Sequence, residues 1–215
     1  MTNGCFISFE GPECAGKSTQ VTLLARALRA EGREVLETRE PGGTRVGEEL
    51  RQIVKHLCGE DAVCDEAELM IFAASRAQLV RKIVLPFLAQ GGVVLCDRFG
   101  DSTSAYQGYG RGFDLSVIDT INSVATCGRW PDLTILMDLP VDVAFDRARL
   151  RTSTLGIADR IEDESRDFHE RVRQGYLELA TRHPERIKAI DATQAVEGIH
   201  TAIMEHVHDA ISKLR

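Results

Sequence analysis

The chain has 215 residues, 43% apolar and 27% charged, which suits one soluble domain with a sizeable core. A formal net charge of −7 argues against general nucleic-acid binding, so basic residues that meet a polyanion must be gathered locally. No apolar run approaches a membrane span of about 20 residues, and no leader pattern opens the chain, so the expectation is a cytoplasmic protein without membrane partners.

In chain order, the first predicted strand is CFISF (5–9), followed by the glycine-framed turn GPECAGKST (11–19). The pattern over 17–30 predicts a helix with Val21, Leu24, Ala25 and Leu28 on one face. A second strand is expected at 34–38, then a helix over 47–58 with Leu50, Ile53, Val54 and Leu57 on one face. The segment 65–90 reads as helical, with Pro86 demanding a kink or a division in two. Further strands are expected at 92–97, 133–139 and 186–191. All five runs read as apolar on both faces, as in a buried parallel sheet. The polar stretch 152–165 breaks periodicity and reads as a mobile loop between two helices. In the last helix Val196, Ile199, Ile203, Val207, Ala210 and Leu214 form a stripe. Strand–helix alternation predicts an α/β fold with a parallel sheet and right-handed crossovers. Without repeats or linkers, residues 1–215 read as a single domain. The six cysteines show no CxxC spacing and suit reduced thiols.

The turn after the first strand matches G-x-x-x-x-G-K-[ST] through Gly11, Gly16, Lys17 and Ser18. Glycines let the backbone wrap closely, so that N–H groups point at phosphate oxygens. Lys17 adds a point charge, Ser18 can ligate Mg²⁺, and the following helix offers its positive end. The cradle implies a nucleoside triphosphate and leaves GTPase, motor ATPase and small-molecule kinase open.

Three later segments bear on the acceptor. TREPGGT (38–44) places Arg39 at a strand end, where it can hold a phosphate bidentately, beside a Pro41-Gly42-Gly43 turn, although taken alone an ordinary turn with a surface arginine is the better reading. DRFGDSTSAYQGYGRG (97–112) sets Asp97 and Arg98 at the ligand-binding edge of an α/β sheet. Asp97 suits assistance to Mg²⁺, and Arg98 suits a bridge between donor and acceptor phosphates. FAASR (72–76) puts Phe72 and Arg76 four apart on one helix face, as a stacking plate and a donor fork would be. On spacing alone, a core phenylalanine beside a solvated arginine is the better reading of that pair. Arg147, Arg149, Arg151 and Arg160 crowd around the polar loop; a solvated charge run is the ordinary reading, and a loop that closes over transferring phosphates is the other.

Taken together and in this order, the cradle, TREPGGT, FAASR, DRF…STSAYQG and DRIE resemble thymidylate kinase of the bacterial type, over most of the chain. The resemblance implies a P-loop NTPase fold, a five-stranded parallel sheet flanked by helices, a mobile lid at about 147–162, and a homodimer. It implies transfer of the γ-phosphoryl of ATP to dTMP, giving dTDP and ADP, with Mg²⁺ as cofactor. By the same resemblance, Gly11, Pro12, Glu13, Cys14, Ala15, Gly16, Lys17, Ser18 and Thr19 surround the ATP phosphates, and Asp191, Ala192 and Thr193 lie near adenine. Ser18 and Asp97 are the metal candidates. Glu13 is expected at the dTMP 3′-hydroxyl, Arg39 and Arg98 at its phosphate, and Pro41 beside it. Phe72 is expected to stack on thymine and Arg76 to bond its carbonyl. Thr103, Tyr106 and Gln107 would border base and sugar. Lys17, Arg98 and the lid arginines Arg147, Arg149, Arg151 and Arg160 are the expected catalytic groups. Cys14 stands where the family more usually has glycine.

Overall fold

The computed structural model describes residues 4–57, 59–155 and 164–214. Strands β1 (Cys5–Glu10), β2 (Val35–Arg39), β3 (Val93–Asp97), β4 (Leu133–Asp138) and β5 (Ile187–Asp191) form one parallel sheet, ordered β2-β3-β1-β4-β5. Five parallel strands fall where the apolar runs predict them. The register pairs Phe9 with Asp97 on one side of β1 and with Ile135 on the other. The ends of β1, β2 and β3 therefore open on one edge of the sheet.

Nine α-helices are described: α1 (Lys17–Ala30), α2 (Arg45–His56), α3 (Asp65–Leu79), α4 (Leu85–Ala89), α5 (Gly100–Thr103), α6 (Leu115–Thr126), α7 (Val141–Leu155), α8 (Arg166–Arg182) and α9 (Val196–Lys213). One sheet face carries Ile7, Phe9, Leu95, Ile135 and Met137 against Leu24 and Leu28 of α1 and Ile199, Ile203 and Val207 of α9. The other face carries Phe6, Val94 and Cys96 against Leu79, Val84 and Leu88. Leu136 joins a third cluster with Phe168, Val172 and Tyr176 of α8. Each fully buried side chain of this size contributes about 1.5–3 kcal/mol. The period-two alternation of β1 between these layers makes the sheet the middle of a three-layer sandwich.

Two expectations need correction. β2 and β5 are not buried on both faces; they are the sheet's edges, and both carry exposed residues in alternation. The expected apolar face of 47–58 buries only Val54, while Ile53 and Leu57 are exposed. After Arg98, α5 runs into a wide π-helical stretch over Ser104–Gly110, a segment to which the sequence assigns no element. Its small residues let it lie close to α8, where a Cβ on Gly110 would stand 2.7 Å from the Phe168 ring. At Pro86 the helix continues through a second π-helical stretch, Val80–Val84, which accommodates the missing N–H without a break. Of the loop expected over 152–165, residues 152–155 extend α7 and 156–163 lie outside the described residues.

Candidate active site

The cradle leaves β1 at Gly11, whose φ of 125° only glycine adopts easily, and whose Cβ would meet the Met137 carbonyl oxygen at 2.4 Å. Cys14 follows at φ 58°, also left-handed, and Gly16 at φ 90° caps α1 without a side-chain hydrogen bond. The first amides of α1 therefore have no capping side chain and suit an anion. Lys17 is buried and folds back over the turn, donating to the carbonyls of Gly11 (3.1 Å) and Pro12 (2.7 Å). Burial and the Arg98 charge push its pKa down, against the pull of Glu13, Asp97 and Glu10. The Ser18 hydroxyl donates to Asp97 Oδ2 at 2.7 Å, so the end of α1 and the end of β3 meet at the mouth of the turn.

Arg98 occupies a left-handed conformation, φ 71°, just past β3. That turn aims its guanidinium back across the end of β1. Nη1 donates to Gly11 O (3.1 Å), Tyr176 Oη (3.2 Å) and Ser102 Oγ (3.3 Å). Nη2 donates to Tyr106 Oη (3.2 Å) and pairs with Glu13. Burial works against the charge on Arg98, but Glu13 and the Tyr106 and Tyr176 hydroxyls more than restore it. Burial likewise pushes Glu13 up, yet Arg98 and Lys17 outweigh it and hold the carboxyl well below its usual range. Behind Arg98 lies buried Glu10. It accepts from Phe99 N (2.7 Å), Ser102 Oγ (2.5 Å) and Tyr176 Oη (2.9 Å), and burial and nearby Asp101 push its pKa up to about 7.

A cavity of about 520 Å³ joins these groups to the acceptor side. Its walls include Glu13, Lys17 and Ser18 of the cradle, Arg39 at the end of β2 and Pro41 just past it, and Phe72 and Arg76 of α3. Arg98, Thr103, Tyr106 and Gln107 complete the set expected for an acceptor nucleotide, so segments far apart in sequence share one space. Arg39 pairs with Glu48 at 3.0 Å and is half exposed. Arg76 is not the solvated arginine that spacing favours: it is 1% exposed. Nε and Nη2 meet Glu40 Oε2 at 2.8 and 2.7 Å, and Nη1 donates to Thr103 Oγ1 (2.9 Å) and Asn122 Oδ1 (2.7 Å). Nη2 also donates to Phe99 O at 3.1 Å. A carbonyl arriving at Arg76 would share these bonds or displace one.

The lid candidates separate. Arg151 lines the cavity, and its charge reaches Glu13. Arg147 bridges Cys14 O (3.3 Å) and Ala192 O (3.2 Å), tying the cradle to Asp191, Ala192 and Thr193 after β5. Arg149 is 78% exposed and meets Asp146 at 3.4 Å. Arg160 lies outside the described residues. Sequence reasoning missed Arg51, Val54 and Lys55, which reach the cavity from α2, and Glu40, Phe99 and Ser102. The i, i+3, i+4 spacing of Arg51, Val54 and Lys55 is a signal that could have placed the first three together. Glu10 and Tyr176 carry no such signal, being joined only because α8 packs along Ser104–Gly110 and β4 and so brings the Tyr176 hydroxyl to the end of β1.

The family model described as thymidylate kinase matches residues 9–203. The chain belongs to the thymidylate kinase family. It is 48% identical to the thymidylate kinase of Kosmotoga olearia over 209 residues, covering 97% of this chain and 98% of that one. Against the thymidylate kinase of Trichlorobacter lovleyi it is 49% identical over 204 residues, covering 94% and 96%. The crystal structure of thymidylate kinase from Ehrlichia chaffeensis superposes with a TM-score of 0.75 at 33% identity, covering 95% of this chain and 99% of that one. The fold is thus the P-loop NTPase fold, and the chain is a phosphotransferase, a nucleoside monophosphate kinase of the thymidylate type. Among the described residues no helix is long and apolar enough to cross a membrane.

Proposed function

We propose that ATP and dTMP meet in this cavity and that the γ-phosphoryl passes between them, giving ADP and dTDP. The observation that carries the reading is the shared cavity itself: an uncapped helix start with Lys17 at one end, Phe72 and Gln107 at the other, and Arg98 between. A dTMP phosphate is already an anionic nucleophile, so no strong general base is needed. The protein's task is to bring two polyanions together in line and neutralise their repulsion. Lys17 leaves the Gly11 and Pro12 carbonyls for the β- and γ-phosphates. Arg98, with Arg39, holds the acceptor phosphate, and Arg151 faces the transferring group. Glu13 takes the 3′-hydroxyl through the oxygen not held by Arg98. Phe72 stacks on the base, and Tyr106 crowds the 2′ position of the sugar. Arg147 steadies the turn against Ala192, where adenine lies.

Ser18 and Asp97 fit Mg²⁺: a hydroxyl and a carboxylate, both hard oxygen donors, stand 2.7 Å apart beside the phosphate site. When bound, the ion neutralises charge on the phosphate oxygens. The family resemblance further implies a homodimer. Met70 of α3 and Val117 and Val124 of α6 support it, being large apolar side chains exposed on two helices that pack together.

The test is ADP release from ATP and Mg²⁺ with dTMP, thymidine, dUMP, dCMP or no acceptor. Strong dependence on dTMP is expected, with dUMP a poorer substrate, since one methyl discriminates by only about 1–3 kcal/mol. Phosphorylation of thymidine instead of dTMP would mark a nucleoside kinase. Release without an acceptor would leave only a nucleotide-binding ATPase.

A further inference from the structure

Glu68, Phe72 and Arg76 stand at intervals of four on α3 and share a face. Phe72 and Arg76 line the cavity; Glu68 sits one turn further along, 1% exposed. Arg111 grips its carboxylate from one side, Nε to Oε1 and Nη2 to Oε2, each at 3.4 Å. Arg111 is itself fixed by Asp65 (3.2 Å) and Glu164 (2.6 Å) and lies over the Phe168 ring. From the other side Gln107, 2% exposed, donates from Nε2 to Glu68 Oε1 at 2.9 Å.

A carboxylate only accepts, so the Gln107 amide can meet Glu68 through its NH₂ alone. Gln107 Oε1 accepts no hydrogen bond among the described residues, and Gln107 is part of the cavity wall. We propose that Glu68 is a positioning residue that sets pyrimidine specificity: by holding the Gln107 NH₂, it turns the Gln107 oxygen to the base. That oxygen accepts from the N3–H of thymine and confronts the N3 lone pair of cytosine. An amide free to rotate would offer a donor or an acceptor equally and would distinguish nothing. The acid that does the selecting touches no substrate; it removes one of the two orientations of the group that does. The inference rests on the reading of this cavity as the thymidylate site.

The experiment compares kcat/KM for dTMP and dCMP, with ATP and Mg²⁺, in the full chain and in Glu68→Gln. An amide at position 68 can accept or donate, so Gln107 can turn over, and the dTMP-to-dCMP ratio falls by about tenfold or more. The double change Glu68→Gln with Gln107→Glu exchanges amide and carboxylate, again leaves an oxygen toward the base, and restores the ratio. A ratio unchanged in Glu68→Gln, or no recovery in the double change, overturns the proposal. Should Glu68→Gln not fold, Gln107→Leu leaves the Glu68–Arg111 pair intact and must lower the ratio by the same factor; an undiminished ratio there overturns it equally. If the unaltered chain shows no dTMP-dependent turnover, the reading of the reaction fails. If it prefers dTMP and Glu68→Gln prefers it just as strongly, this inference alone fails.

Discussion

Removing the Arg98 guanidinium would strip Glu13 of its closest cation and leave the Tyr106 and Tyr176 hydroxyls without their donor. Arg98→Ala is therefore expected to lower kcat/KM for dTMP by about 10²–10³-fold, the scale of losing one preorganised charge donor. Arg98→Lys should recover little, because a point charge cannot span Glu13 and Ser102 together. Steady-state kinetics at saturating ATP check both, and near-normal turnover in either would remove Arg98 from the site. Behind Arg98, Glu10 makes a prediction of its own. Its pKa stands at about 7 in the folded chain against an ordinary 4.5, so the folded state keeps a proton that the unfolded chain releases. Its stabilising contribution is complete below about pH 4.5 and is lost as pH rises through about 7. Glu40, raised to about 6 by burial, acts in the same direction, and Glu13, held low, acts oppositely in acid. Glu10→Gln should flatten the fall of stability between pH 5 and 7 by up to about 1.4 kcal/mol per pH unit, the slope of one proton. Urea midpoints across that range measure it; an unchanged slope would place the proton on another group.

At the scale of elements, the cradle joins a strand to a helix through a turn that demands left-handed backbone three times in six residues, at Gly11, Cys14 and Gly16. Two of those positions are glycine, and the third carries a Cβ that this conformation disfavours. Cys14→Gly should stabilise the chain by about 0.5–1 kcal/mol, the relief of strain less the added freedom of the unfolded state. Chemical denaturation reads this directly, and a loss of stability would mean that the Cys14 side chain holds the turn. Gly11→Ala should act in the opposite sense, since its Cβ has the Met137 carbonyl in the way. The π-helical stretch 104–110 shows why element reading from sequence has limits. Its glycines and small polar residues give no apolar period, so the sequence marks no element there. It is helical because α8 packs along it, a contact more than fifty residues away in sequence. The apolar stripe of α2 fails in the other direction: its period is helical, as expected, but the chain alone offers only Val54 a buried place.

Across the whole molecule, a net charge of −7 contrasts with the cavity of the candidate site, in whose walls Lys17, Arg39, Arg51, Arg98 and Arg151 gather. On the proposed reading, that concentration would draw two anionic nucleotides to an acidic protein. Exposed Met70, Val117 and Val124 give the homodimer proposal a specific form. Val124→Asp should convert the dimer to a monomer by light scattering, because a charge buried without a partner is costly. A monomeric unaltered chain would end the proposal, and an undisturbed dimer would move the interface elsewhere.

Strand count, parallel pairing and the phosphate cradle follow from the sequence itself, whereas the strand order does not. Apolar runs of strand length and a glycine spacing that allows a backbone nest are local properties, and they survive without tertiary context. The burial of Arg76, the separation of Arg147 and Arg151 from Arg149, and the Glu10–Tyr176 and Glu68–Gln107 pairs were decided only by the tertiary structure. A side chain's role at these positions depends on desolvation and on partners tens of residues away. No spacing rule carries that information, because the low-dielectric interior that gives these charges and hydrogen bonds their strength exists only once the layers have closed around them.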